Sequence, residues 1–100
     1  MNMQQMVAQA QKMQRELQKA LKELEEKEFE ISKGGAVTVK MYGSGRVISV
    51  VVEDDAFEKE NKEMVEDLIA VAINEGLEQI AAEREAINEA VTGQKGGFGF

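Results

Sequence analysis

The chain contains no cysteine, no histidine and no tryptophan, and only one tyrosine. Without cysteine there are no disulfides, thiolate nucleophiles or zinc–sulfur sites. Without histidine the commonest general base and the commonest transition-metal ligand are missing. A core nearly free of large aromatics has to be aliphatic, and the six methionines are expected to help fill it. No apolar run approaches the ~18 residues of a membrane span. The Gln-rich N-terminus does not read as a secretory signal. A soluble cytoplasmic protein is the expectation. One hundred residues suit one small domain with a modest core, and so thin a core invites oligomerisation as a second source of burial.

The formal net charge is −7, and it is unevenly spread. Residues 1–22 sum to +3, because Lys12, Arg15, Lys19 and Lys22 face only Glu16. Residues 58–91 sum to −7. The overall acidity therefore hides a mildly basic first segment joined to a strongly acidic last one.

The first segment has a helical period. Met3, Met6, Ala10, Met13, Leu17, Ala20 and Leu24 fall at alternating steps of three and four, a heptad seam over three repeats. A helix from about residue 2 to 27 would be roughly 39 Å long. The period then changes to two. EFEISK, AVTVKMY and RVISVVVE read as strands, joined by turns at Gly34-Gly35 and Gly43-Ser44-Gly45. They predict an antiparallel meander. The third strand is so rich in β-branched residues that it reads as covered on both faces, either central or at an interface. Asp55 and Glu58 have capping-box spacing, with a short helical turn through Phe57. Asn61 predicts a fresh N-cap, followed by a long helix with a broad apolar face from Met64 to Val91. Gly76 lies inside that face, where close approach of another element would explain a residue that costs about 1 kcal/mol against alanine. The expected fold is α+β: long helix, three-stranded meander, long helix. It forms one domain over 1–92, with a flexible Gly-rich tail over 93–100. Two helices and one small sheet cannot bury all their apolar faces within one chain. An intertwined homodimer is the simplest closure, with Met6, Met13, Leu17, Val50 and Val52 as its expected interface.

The residues that could carry chemistry are few. If the seam occupies heptad positions a and d, Lys12 and Lys19 fall at c and Arg15 and Lys22 at f, on the opposite face. Gln11 and Gln18 flank them. Such a stripe has two readings: a solvated outer face with Glu16 paired to Lys12 and Lys19 and Lys22 to Glu26, or a phosphate-contacting surface. Gly43-Ser44-Gly45 lies between strands and opens no helix, so it is not a phosphate loop. Lys40 and Arg46 flank that turn, and likewise have two readings: further phosphate contacts, or charges that deter edge aggregation. Glu53, Asp54 and Asp55 are better read as capping residues than as a metal site. Ser32, Ser44 and Ser49 have no base to activate them. No enzyme activity, cofactor, metal or small-molecule substrate is expected.

The order of KMQRELQKALKELEE, a GG turn, VTVKMYGSGRVISVVVEDD, KEMVEDLIAVAINEGLEQI and TGQKGGFGF resembles the YbaB/EbfC family of bacterial nucleoid-associated proteins over nearly the whole chain. The resemblance implies a tweezer-shaped homodimer that binds duplex DNA, with the bacterial chromosome as partner and the nucleoid as location. It favours the phosphate-contacting reading of Lys12, Arg15, Lys19 and Lys22. The acidic last helix argues against DNA contact along its own length. The expected role is duplex binding with little sequence preference, affecting chromosome organisation or gene expression. An acidic prefoldin-like chaperone or protein-binding scaffold is the alternative. The three strands, the short first helix and the Gly-rich tail speak against it.

Overall fold

The computed structural model describes residues 2–93. In chain order it has helix α1 (Met3–Glu26), strands β1 (Glu28–Lys33), β2 (Val37–Tyr42) and β3 (Val47–Val52), and helix α2 (Lys62–Thr92). Two short 3₁₀ turns, Asp54–Ala56 and Lys59–Asn61, lead from β3 to α2. Beyond Gly93, the expected tail lies outside the described residues.

α1 begins with a reciprocal cap. Asn2 Oδ1 accepts the N–H of Gln5 at 2.8 Å, and Gln5 Oε1 accepts the N–H of Asn2 at 3.2 Å. Two otherwise orphaned donors are satisfied, so the helix is formed from its first turn although residues 3–10 are all exposed. Burial starts later along the seam: Met13, Leu17, Ala20 and Leu21 are half-buried and Leu24 is buried.

The three strands form one antiparallel sheet in the order β1-β2-β3. Gly34 and Gly35, at φ 60° and 63°, are the central residues of the turn between β1 and β2, which the N–H of Ala36 closes on the carbonyl of Lys33 at 3.1 Å. Both positions require the left-handed region, which glycine enters without a Cβ penalty. Alternation sets the faces. Phe29 and Ile31 on β1, with Val37, Val39 and Met41 on β2, are buried beneath α2. Glu28, Glu30, Ser32, Thr38, Lys40 and Tyr42 occupy the other face. There Ser32 Oγ and Thr38 Oγ1 lie 2.9 Å apart in a hydrogen bond.

α2 lies over β1 and β2, burying Ala72, Gly76 and Ile80. A Cβ at Gly76 would sit 2.6 Å from Met41 Sδ and 3.0 Å from Ile31 Cδ1, the close approach that a glycine in this face implied. Lys33 Nζ reaches Glu75 at 2.8 Å, and Lys27 Nζ reaches Glu83, tying the β1 side of the sheet to the helix. Thr92 stands beside Ala10, Met13, Gln14 and Leu17. Since Lys27 stands beside Glu83, α1 and the last third of α2 run antiparallel. α2 ends before the first turns of α1 are covered.

Four expectations need correction. β3 is an edge strand with both faces largely exposed in the single chain, so of its two expected places the central one falls and the interface one stands; its composition does not distinguish them. Met3 and Met6 do not fill this chain's core: they are 78% and 54% exposed, since α2 stops short of them, and Met13 is half-buried. Among the described methionines only Met41 is buried. Asp55 and Glu58 form no capping box; the turn spans Asp54–Ala56 without a side-chain cap, and Phe57 follows it. Asn61 occupies the α2 N-cap, but its backbone is already helical and its side chain makes no cap bond, Nδ2 facing the Asp55 carbonyl at 3.5 Å instead.

Replacing Gly76 by valine forces branched carbon atoms into Met41 and Ile31. Overpacking of this kind costs about 2 kcal/mol, so the urea midpoint should fall well below that of the unmodified protein. An unchanged midpoint would contradict the packing described.

Candidate nucleic-acid interface

Lys12, Arg15, Lys19 and Lys22 all lie on the exposed side of α1. From Lys12 to Lys22 is ten residue steps, or about 15 Å of helix. The half-buried seam residues of the same helix turn toward α2, so the cations project from the outer surface of an arm. Gln11 and Gln18 are exposed beside them. Residues 2–11 carry no charge at all. Beyond Lys22, the exposed Glu23, Glu25 and Glu26 close the basic surface toward the sheet.

None of the four cations makes an ion pair among the described residues. The ion pairs there are Lys27–Glu83, Lys33–Glu75 and the i,i+4 pair Lys62–Glu66. The pairs expected of a merely solvated face, Glu16 with Lys12 and Lys19 and Lys22 with Glu26, do not form. The charges are therefore segregated. Lys27 and Lys33 tie α2 to the β1 side of the sheet, while the α1 stripe, with Glu16 exposed among its four cations, keeps an excess of three positive charges. A linear array with cations in excess attracts a linear array of anions, and a phosphodiester strand is such an array.

Lys40 and Arg46 are exposed and likewise without ion pairs among the described residues. Lys40 is on the central strand opposite Glu30 and Ser49, so it does not guard a sheet edge. Among the described residues no group of three or more carboxylates is arranged to hold a metal ion, and no helix is long and apolar enough to cross a membrane.

The remaining expected interface residues are spread over two surfaces. Met6 is exposed near the tip of α1, and Met13 and Leu17 line the cleft between α1 and α2. Val50 on the β3 edge is 41% exposed, and Val52 is half-buried.

The profile of the YbaB/EbfC DNA-binding family matches residues 1–95. The chain belongs to that family. Among similar proteins is a nucleoid-associated protein of Clostridium novyi, 46% identical over 90 residues, covering 89% of this chain and 77% of that one. A nucleoid-associated protein of Malacoplasma penetrans is 35% identical over 89 residues, covering 89% of this chain and 95% of that one. The crystal structure of the uncharacterized protein HP0035 from Helicobacter pylori shares the fold at a TM-score of 0.72 and 20% identity, over 92% of this chain and 98% of that one. The YbaB/EbfC family is defined by DNA binding and not by a reaction.

Sequence reasoning missed two features of this YbaB/EbfC chain. The Asn2–Gln5 cap carried a legible signal, an Asn three residues before a Gln at the head of a helical period. The isolation of the stripe carried none, because (i, i+4) spacing permits ion pairs without fixing the rotamers that make them.

Because the stripe holds nothing in the folded chain, changing Lys12, Arg15, Lys19 and Lys22 together to glutamine should leave the urea midpoint unchanged within error. A clear loss of stability would mean that these side chains do structural work within the fold.

Proposed function

We propose that the chain acts as a homodimer that binds duplex DNA of the nucleoid with little sequence preference, using Lys12, Arg15, Lys19 and Lys22 of α1, with Gln11 and Gln18 beside them. The observation that carries this reading is the exposed, unpaired cation stripe in a chain of a DNA-binding family. Lysine and arginine on one straight helix contact phosphates, which position a protein without reading sequence. The stripe has no aromatic side chain on which unpaired bases could stack, so a duplex suits it better than a single strand. The net charge of −7 opposes tight binding and makes it sensitive to salt. Coating the chromosome in this way would affect its organisation or the expression of its genes.

The homodimer is supported by what the single chain leaves bare. Val47, Ile48, Val50 and Val51 of β3 are all exposed, on both faces of an edge strand. The radius of gyration is 19.2 Å, against about 13 Å for a compact chain of this length. The accessible surface is 7370 Å², where a folded monomer of this mass would show about 5,700 Å². A second copy at β3 would cover the apolar strand and present two stripes, eight cations in all.

Fluorescence anisotropy of a labelled duplex at ~50 and ~200 mM salt tests the reading. If four to six cations neutralise phosphates, log K should fall with log salt at a slope of roughly −4 to −5. Binding should largely vanish when Lys12, Arg15, Lys19 and Lys22 are all glutamine and the oligomeric state is retained. Absence of binding by the unmodified protein at low salt would overturn the proposal.

A further inference from the structure

The first helix is held at its C-terminal end by the β2–β3 turn. That turn closes on itself through the N–H of Gly45 to the carbonyl of Tyr42, and the N–H of Tyr42 to the carbonyl of Arg46, both at 2.8 Å. Its two central N–H groups do not go to solvent. The N–H of Gly43 donates to the carbonyl of Lys27 at 2.8 Å, and the N–H of Ser44 donates to the carbonyl of Glu25 at 3.2 Å. A helix leaves its last carbonyls without partners of its own; here a hairpin from elsewhere in the chain helps satisfy this end. The seat is tight. Gly43 is buried, and a Cβ there would overlap the carbonyl oxygen of Leu24, a backbone atom that cannot swing aside. Lys27, the C-cap residue, adds its ion pair to Glu83 and lies 5.2 Å from the ring of Phe29.

We propose that Gly43 is a positioning residue for DNA binding: by letting the β2–β3 turn seat against the last turn of α1, it fixes the direction in which the arm with Lys12, Arg15, Lys19 and Lys22 leaves the sheet. The consequence for DNA rests on the proposed function above. The lever is long. Lys12 is about 22 Å from the seat at Lys27, so a tilt of about 10° at the base moves it about 4 Å, more than the length of a hydrogen bond. The hairpin that seats α1 also carries β3, so the covered strand and the arm are joined through one turn. Two stripes on one duplex gain avidity only when their spacing fits it.

The chain has no cysteine of its own, so spin labels on Gln9→Cys and Glu30→Cys, both exposed positions, report the arm-to-sheet distance. Dilution into unlabelled protein keeps each distance within one chain. Gly43→Ala is expected to shift or broaden that distance while helix content and oligomeric state are retained. In the unlabelled protein, the same change should weaken duplex binding about tenfold or more. If Gly43→Ala does not fold, a glycine inserted between Ser44 and Gly45 displaces the two donors without adding an overlap, and is read in the same way. An unchanged distance distribution in a folded variant overturns the proposal, whatever the affinity. So does a moved arm that binds the duplex within about twofold of the unmodified protein. Failure of the unmodified protein to bind a duplex would instead remove the proposed function, while the distance measurement still decides whether Gly43 holds the arm.

Discussion

Helix α2 covers β1 and β2 and leaves most of β3 exposed, and the rest of the molecule is arranged around that incomplete cover. Val37, Val39 and Met41 on the middle strand are the largest fully buried side chains among the described residues. Gly76 allows the helix to lie directly on Met41 and Ile31. Only one helix lies on a sheet three strands wide, and it is centred to one side. The valines of β3 thus keep an apolar surface and an unpaired edge in water. An edge of six residues without lysine or proline is a template for pairing with another chain. The proposed homodimer supplies that pairing in a closed, isologous form.

The same economy shapes α1. Its seam from Met13 to Leu24 meets α2, but its first turns run past the end of α2 and are exposed. It is an arm, ordered by its own cap at Asn2 and seated at its other end on the β2–β3 turn. Cations on an arm can reach a ligand that the acidic body would repel. Elsewhere, the charges of Lys27 and Lys33 are balanced by Glu83 and Glu75 of α2. The chain thus holds its acidic helix against the sheet with two cations and leaves four others unpaired on α1.

Much of this was legible in the residues. Period 3.6, then period 2 and β-branched runs, located both long helices and all three strands to within a residue or two. The GG dipeptide gave the first turn, and Gly76 gave the helix-to-sheet contact. The meander order was legible from the two tight turns, but how far the rest of the chain covers β3 was not. A β-branched run such as VISVVV looks alike in the middle of a sheet and at an edge that another chain covers. Gly43-Ser44-Gly45 was legible as a turn, but not as the seat of α1, since that contact depends on how two distant segments dock. The cation stripe was visible from spacing alone. Whether acids neutralise it was not, because that is settled by side-chain rotamers.

The most direct test is the mass of the protein in solution, by sedimentation equilibrium, for the unmodified chain and for Val50→Lys. Closure of the β3 edge by a second copy gives twice the 11.1 kDa of one chain, and a lysine at position 50, placed in the covered surface, shifts the protein toward a single chain. A mass of one chain for the unmodified protein at micromolar concentration, or a dimer untouched by Val50→Lys, would contradict it.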